Sequence, residues 1–211
     1  MHPLSALTRY LDAYLKIGEV SDYSQAYNGL QLENSGRVRR LAAAVDACES
    51  VFEQAAAAGA DFLLVHHGLY WNSVPAVGGM YRKMRCALSH DMAVYSAHLP
   101  LDVHPVVGNN VLLARALGLK KRTPFLALKG QAAGLAGDCR MERDVLVERL
   151  RAAVNGPVHV CAGGPARVRR VGVVTGGAGS EVARAAAEGV DTFITGEGPH
   201  WSYTLAEELG I

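Results

Sequence analysis

Two adjacent histidines, His66 and His67, directly follow the apolar run DFLLV at residues 61–65. Imidazole nitrogens are good ligands for zinc, iron, nickel and related metals. Successive side chains on an extended chain point to opposite sides, so neighbouring histidines on a regular strand reach two ions, one each, more readily than they chelate one. The pair is also compatible with two histidines hydrogen-bonded in a loop. For the pair alone, both interpretations remain open.

A second polar segment, YSAHLPLD at residues 95–102, favours the metal interpretation. It follows another predicted strand, and Pro100 disfavours a continuous helix through it, so we expect a bend over the strand ends. This bend would bring His98 and Asp102 towards the histidine pair. A carboxylate can bridge two cations, and paired ions suit hydrolysis because they clamp the attacking and leaving oxygens. The two segments therefore supply half of a coherent dinuclear site.

The other polar candidates each have two interpretations. His98 is either a proton carrier near bound water or a structural histidine. Glu197 either holds water and acts as a general base, or caps the helix that follows Pro199. His200 is a weaker candidate for the same cleft, and His104 is expected in an exposed loop.

An internal repeat provides the elements that would position these residues. Residues 38–71 and 168–201 align without a gap over 34 positions and are identical at 11 of them. Each copy predicts a strand, a loop, a helix and a second strand. The first copy ends in the histidine pair, and the second ends in Gly196 and Glu197. If the two halves pack around a pseudo-twofold axis, Glu197 faces the histidines.

Alternation of short apolar strands with helices predicts an α/β protein made of two similar lobes, with mixed sheets flanked by helices. The predicted strands are 41–45, 62–65, 93–97, 125–128, 134–138, 158–161, 171–175 and 192–195. The predicted helices are a first helix that Ser5 can cap, with Leu4, Leu7, Leu11 and Leu15 near helical spacing, and the segments 49–58, 81–89, 109–117, 143–154 and 180–188. Segment 22–36 is rich in turn residues and is predicted to be a loop. The stretch 120–123, followed by Pro124, is the predicted boundary between an N-terminal lobe, residues 1–123, and a second lobe, residues 124–211.

Composition limits the possible classes of protein. A chain of 211 residues with 50% hydrophobic and 19% charged residues is typical of a globular protein with a sizeable core. The net charge of +1 gives no electrostatic basis for binding nucleic acid or an anionic membrane. The four cysteines are widely spaced and form no C-x-x-C pair, which indicates free thiols. Neither a signal peptide nor an apolar run of about 18 residues is recognisable, so a cytoplasmic protein is the simplest interpretation.

Four segments, taken in order along the chain, resemble the NIF-three-like family, whose members are often named GTP cyclohydrolase 1 type 2 homologues. They are YNGLQ (residues 27–31), VHHGLYW (65–71), YSAHLPLD (95–102) and TGEGPH (195–200). The resemblance covers essentially the whole chain. It implies a fold of two α/β lobes with a dinuclear metal centre in the cleft between them, and a toroidal homohexamer with metal sites that face the central cavity.

The resemblance also implies roles for individual residues. His66 and His67 would be ligands of separate metal ions, Asp102 would bridge the ions, and His98 would lie close by. Family members continue beyond the position of Ile211 into a strand and a G-H-x-x-[ST]-E segment that supplies a further His and a further Glu ligand. These have no counterpart in the 211 residues, so weakened or lost binding of the two divalent ions (zinc, iron, manganese or similar) and an exposed sheet edge are expected.

Two functions follow from these observations. The first is a metal-dependent hydrolase that acts on a small nucleotide-like or phosphorylated molecule. The second is a non-catalytic, metal-binding hexameric assembly with a regulatory role. Binding to DNA receives little support from a net charge of +1.

Overall fold

The computed structural model describes residues 1–70, 78–128 and 130–211. The chain divides into two compact units, Met1–Leu101 and Asp102–Ile211, each with a four-stranded mixed sheet flanked by helices. The predicted α/β class is therefore confirmed. Among the described residues, every helix is too short or too polar to cross a lipid bilayer.

The first unit is built around a sheet with the strand order β2-β6-β5-β4, in which β4, β5 and β6 are parallel and β2 is antiparallel to β6. Its elements are β1 (His2–Pro3), α1 (Leu4–Tyr14), β2 (Gly29–Leu32), β3 (Arg37–Val38), β4 (Leu41–Asp46), α2 (Glu49–Ala57), β5 (Phe62–His67), α3 (Gly78–Ser89), β6 (Ala93–Ser96) and the first three residues of α4 (Leu99–Asp102). The apolar run that begins β5 is almost wholly buried, as expected of a parallel strand covered on both faces. Phe52 of α2 packs into the same core as Leu63 and Val65.

The second unit has the strand order β10-β9-β8-β7, with a parallel β9–β10 pair and antiparallel pairs elsewhere. Its elements are α5 (Asn109–Ala116), β7 (Lys120–Leu128), β8 (Gln131–Glu142), α6 (Arg143–Val154), β9 (Arg167–Val174), a 3-10 turn (Gly179–Glu181), α7 (Val182–Ala187), β10 (Thr192–Thr195) and α8 (Trp201–Leu209). One of its cores joins Leu117 and Leu146 to Val168 and Val171 of β9.

The repeat in the sequence is also a repeat in the structure. β4–α2–β5 and β9–α7–β10 are each a strand, a helix and a parallel neighbouring strand with the same register. At the start of each pair, one carboxylate accepts hydrogen bonds from two consecutive backbone N–H groups. Asp61 accepts from Arg39 at 2.8 Å and from Arg40 at 2.9 Å, and Asp191 accepts from the two equivalent arginines.

The division between the units differs from the boundary predicted after Thr123, which falls inside β7. The physical reason is the packing of α5. Ala114 and the following Leu117 are buried against Val168 and Val171 of the second sheet, so the helix belongs to the second unit.

Four element predictions are also corrected. The predicted loop 22–36 contains β2, which pairs with β6 across more than 60 residues of sequence. β5 continues through His67 because that residue is still in parallel register with the end of β4. The predicted strand 158–161 is irregular, and Pro100 lies in the first turn of α4, a position where proline is tolerated.

Candidate metal centre

Three histidines converge at one end of the first sheet. His66 and His67 end β5, and His98 lies two residues beyond the end of its parallel neighbour β6. The ring centroid of His66 is 4.6 Å from that of His67 and 4.8 Å from that of His98. One ring nitrogen from each of the three lies within 4.8 Å of the others. The carboxyl ends of parallel strands are a common place for ligands, and the predicted approach of His98 to the pair is found here.

The orientation of His66 is fixed by a backbone acceptor. Its Nδ1 lies 2.9 Å from the carbonyl oxygen of Ala97, which can only accept, so Nδ1 carries the proton and donates. The hydroxyl of Ser96 in turn donates to the His66 carbonyl at 2.9 Å. In a neutral ring, this arrangement leaves the metal-ligating lone pair on Nε2.

Carboxylates fix the orientation of the His67 and His98 rings by accepting hydrogen bonds at Nδ1. The Nδ1 of His67 is 2.7 Å from Asp46, the last residue of β4, which is opposite His67 in the parallel register. The Nδ1 of His98 is 2.9 Å from Asp22. The two pairs differ in environment: the side chains of His67 and Asp46 are 47% and 62% exposed, and those of His98 and Asp22 only 12% and 6%.

Asp22 is the centre of a small clamp that holds the backbone beside His98. Its carboxylate accepts from the side-chain amide of Asn28 at 2.8 Å and from the Leu99 N–H at 3.1 Å. The Asn28 side-chain oxygen accepts from the His98 N–H at 2.7 Å. Burial alone would raise the pKa of Asp22, but the hydrogen bonds from His98, Asn28 and the Tyr23 N–H lower it to about 2. Asp22 is therefore an anion throughout the neutral range.

Gln31 provides a second clamp, on the segment that follows His67. Its side chain is buried, accepts from the Leu69 N–H at 2.6 Å and donates to the Tyr27 carbonyl at 2.6 Å. A Cβ at Gly68 would overlap the Gln31 side chain, so only glycine allows this close approach. The YNGLQ segment thus has a physical role: its amide side chains tie it to both histidine-bearing segments.

Sequence reasoning missed the partners Asp22 and Asp46, and also missed the roles of Asn28 and Gln31. One signal was available for Asp46, because the parallel pairing of the repeat's two strands places its last residue beside the histidines. For Asp22, the sequence offered no such signal, since 76 residues separate it from His98.

Asp102 lies outside the group of three histidines and is the first residue of the second unit. Its side chain is buried, and Oδ1 accepts from the Asn109 side-chain amide at 2.8 Å and from the Thr175 hydroxyl at 3.1 Å. Its predicted role as a bridging ligand stays a prediction.

Glu197 and His200 are exposed residues of the second unit, beyond the end of β10. The Glu197 backbone donates to the Gly176 carbonyl at 3.1 Å and accepts from the Gly179 N–H at 3.0 Å. α8 has no side-chain capping hydrogen bond, so the interpretation of Glu197 as its cap is wrong. The catalytic role of Glu197 stays a prediction.

His104 was expected in an exposed loop, and this is wrong. It is buried, and its Nδ1 accepts from the N–H groups of Val106 and Val107, each at 3.2 Å. A histidine that accepts through Nδ1 carries its proton on Nε2. This is a turn-stabilising histidine, with the opposite tautomer to the three rings of the converging group.

The donor set of the converging group fits a divalent transition metal. Three imidazoles are placed together, and an acceptor at Nδ1 of each favours the tautomer that ligates through Nε2. Nitrogen ligands of this kind suit zinc, iron and nickel better than calcium or magnesium, which prefer oxygen. His66, His67 and His98 are therefore the candidate metal ligands of the first unit. For His98 this adds a ligand role to the two interpretations given by the sequence, and its catalytic role as a proton carrier stays a prediction.

Comparisons with known proteins identify the family of the chain. The model of the Duf34/NIF3 family (NGG1p interacting factor 3) matches residues 2–211. A relative from Deinococcus radiodurans, named GTP cyclohydrolase 1 type 2 homolog, is 40% identical over 208 residues, which cover 97% of this chain and 78% of the relative. A relative of the same name from Pseudomonas aeruginosa is 38% identical over 213 residues, which cover 99% of this chain and 83% of the relative.

Solved structures are similar over the same extent. The crystal structure of TTHA1606 from Thermus thermophilus has a TM-score of 0.90 and 36% identity, covering 99% of this chain and 84% of the other. The structure of protein ybgI, whose function is described as unknown, has a TM-score of 0.88 and 32% identity. The match covers 100% of this chain and 84% of the other.

Proposed function

Because the chain belongs to the Duf34/NIF3 family, we propose that it is a metal-dependent hydrolase that binds divalent ions through His66, His67 and His98. The proposed substrate is a small nucleotide-like or phosphorylated molecule. One observation carries the proposal: all three converging histidines have Nδ1 at an acceptor, which is the arrangement of metal-ligating imidazoles. The name shared by the relatives, GTP cyclohydrolase 1 type 2 homolog, supports a nucleotide-like substrate.

The proposal retains two ions of zinc, iron, manganese or a similar metal, with Asp102 as the bridging ligand. The burial of Asp102 and the two hydrogen bonds to its Oδ1 support this role, because they fix the orientation of the carboxylate. When bound, the ions would supply Lewis-acid activation of water and of the substrate oxygen.

The chain's own groups have distinct proposed tasks. Asp22 and Asp46 hold the rings of His98 and His67, so that binding does not have to order them. Glu197 is proposed as the general base, supported by its exposed carboxylate on a backbone fixed by hydrogen bonds on both sides. Assembly as a homohexamer is part of the proposal, and light scattering on the purified chain tests it.

Metal content measured by elemental analysis tests the ligand set. The chain is purified without chelator, dialysed against zinc and compared with His66→Ala, His67→Ala and His98→Ala. The matched control is His90→Ala, which removes an exposed histidine whose Nδ1 is 2.8 Å from the Cys86 carbonyl oxygen. We expect the control to match the metal content of the unmodified chain, which the two missing family ligands would lower below two ions per chain, and each ligand variant to lose most of that content.

Equal metal content in the ligand variants and in the control would overturn the proposed ligand set. The hydrolytic step is tested separately, with GTP as substrate and a chelator-treated sample as the control. Full metal content without any hydrolysis of GTP or of other nucleoside phosphates would leave a metal-binding protein and remove the enzyme.

A further inference from the structure

Three exposed tyrosines belong to the segments that hold the histidines. Tyr23 is 48% exposed, Tyr27 58% and Tyr70 39%. The ring of Tyr23 is 6.0 Å from the ring of His98, and the rings of Tyr27 and Tyr70 meet edge to face at 6.4 Å. Aromatic side chains of this size usually bury much of their area, so the exposed ring of Tyr23 next to His98 and the exposed pair of Tyr27 and Tyr70 are surfaces suited to a ligand.

The backbone at each tyrosine is held in place by the two clamps. The Tyr23 N–H donates to Asp22 at 2.6 Å, which ties Tyr23 to the carboxylate that orients His98. The Tyr27 carbonyl accepts from Gln31, whose side chain also holds the N–H of the residue before Tyr70. The three rings therefore start from fixed backbone positions, and ordering them costs little when a ligand binds.

We infer that Tyr23, Tyr27 and Tyr70 form a recognition face for a planar aromatic ring of the ligand, of the kind found in a nucleobase. Tyrosine rings stack on such rings with little dependence on the identity of the base. In this inference the ligand's phosphate group binds at the metal centre and its aromatic ring stacks on the tyrosines. The preferred ligand is therefore a nucleotide rather than a sugar phosphate, which has no aromatic ring. The inference rests on the proposed function and narrows its substrate class.

Two probes that differ only in the base test the inference: guanosine 5′-monophosphate and ribose 5-phosphate. Their affinities for the zinc-loaded chain are measured by calorimetry. We expect the nucleotide to bind at least about tenfold more tightly. Tyr27→Leu and Tyr70→Leu should each weaken nucleotide binding several-fold and leave binding of ribose 5-phosphate unchanged, while Tyr27→Phe should behave as wild type.

The matched control is Tyr10→Leu, which removes an exposed tyrosine of α1 whose ring stacks on that of Tyr14. Equal affinities for the two probes, or an equal loss of nucleotide binding in this control, would overturn the inference and leave the proposed function intact. A change in the assembly mass of Tyr27→Leu, seen by light scattering, would also overturn it, since the tyrosines would then be a contact between chains. A chain that takes up zinc but binds neither probe overturns the substrate class of the proposed function as well. A chain that takes up no zinc overturns both.

Discussion

The two copies of the repeat have the same framework and different ends. In both, a strand leads through a helix to a parallel neighbour, with identical register and with a carboxylate, Asp61 or Asp191, at the same pair of N–H groups. Gly59 and Gly189 both follow the helix with positive φ, a common way to end it. The framework residues are thus alike because the same local geometry has to be made twice.

The strand ends differ in every residue that could do chemistry. Asp46, His66 and His67 of the first copy are replaced by Gly176, Gly196 and Glu197 in the second. In the second copy the Gly176 carbonyl accepts from the N–H groups of both residues 196 and 197, at 2.9 and 3.1 Å. A Cβ at residue 196 would lie only 3.0 Å from that carbonyl oxygen, so a side chain at this position would crowd the Gly176 backbone.

One backbone frame thus supports two kinds of strand end. Where glycines occupy the ends, the loops hydrogen-bond to each other through their backbones. Where Asp46 and the histidines occupy them, the Ala47 N–H still donates to the His67 carbonyl at 2.9 Å, and the side chains add the contact between Asp46 and His67 and bring ring nitrogens together. The frame is therefore shared by both copies, and the end residues distinguish them: a histidine pair in the first copy and a single exposed carboxylate, Glu197, in the second.

The largest expected difference between the copies is in their helix cores. Phe52 is wholly buried against the first sheet, and Val182 is the equivalent residue of the second copy. We expect Phe52→Ala to lower the free energy of unfolding by about 4 kcal/mol and Val182→Ala by about 2 kcal/mol, because the first leaves the larger cavity. Urea unfolding followed by circular dichroism measures both, with Glu53→Ala on the exposed face of α2 as a control expected to change it by less than about 0.5 kcal/mol. Equal losses at both positions would contradict the difference in packing.

Loss of the carboxylate at the start of each strand pair, Asp61 or Asp191, should produce a smaller difference in stability between the two copies. Asp61 is buried and accepts two backbone hydrogen bonds of 2.8 and 2.9 Å, whereas Asp191 is half-buried and its second bond is 3.3 Å. We expect Asp61→Ala to cost about 3 kcal/mol of stability and Asp191→Ala about half of that.

The stabilising effect of the Asp61 carboxylate should depend on pH. Burial opposes ionisation of Asp61, but the N–H groups of Arg40 and Arg39 outweigh it and hold its pKa below the usual value of 3.8. A lowered folded-state pKa means that this contribution is present above pH 3.8 and is lost as the pH falls below it. The destabilisation caused by Asp61→Ala should therefore shrink when urea unfolding is repeated at lower pH, and a destabilisation that stays constant would count against the carboxylate's role.

The smallest expected effect on stability is at Asp46, the last residue of β4, where the two copies differ. Asp46→Ala removes the carboxylate that accepts from Nδ1 of His67, an interaction with no equivalent in the second copy. Because the Asp46 side chain is exposed, the substitution should lower the free energy of unfolding by no more than about 0.5 kcal/mol. We expect affinity for zinc to fall about tenfold, measured by competition with a chromogenic chelator. Asp46→Asn keeps an acceptor oxygen and should lose less. An unchanged affinity in Asp46→Ala would show that the ring of His67 is oriented by other contacts.

Local patterns in the sequence were enough to predict much of this molecule. The apolar run before His66 and the helix 143–154 have local signals, and both are found where the pattern placed them. The meeting of His98 with the pair was predicted from its position just after a predicted strand and from a bend at Pro100; the position is confirmed, and the expected bend is the first turn of α4. The division after Thr123 was not found, because the core that claims α5 is formed by residues more than 50 positions further along the chain.

The sequence by itself determined the repeat, the α/β class and the identity of the three converging histidines, because periodicity, turn residues and strand order act over short ranges or are copied within the chain. Only the tertiary structure decided which groups orient those histidines. Asp22, Asn28 and Gln31 lie in a segment whose composition indicates a loop, and the hydrogen bonds that tie them to the histidine-bearing segments span 38 to 77 positions. Such partners are set by the packing of β2 against β6, and no local pattern records them.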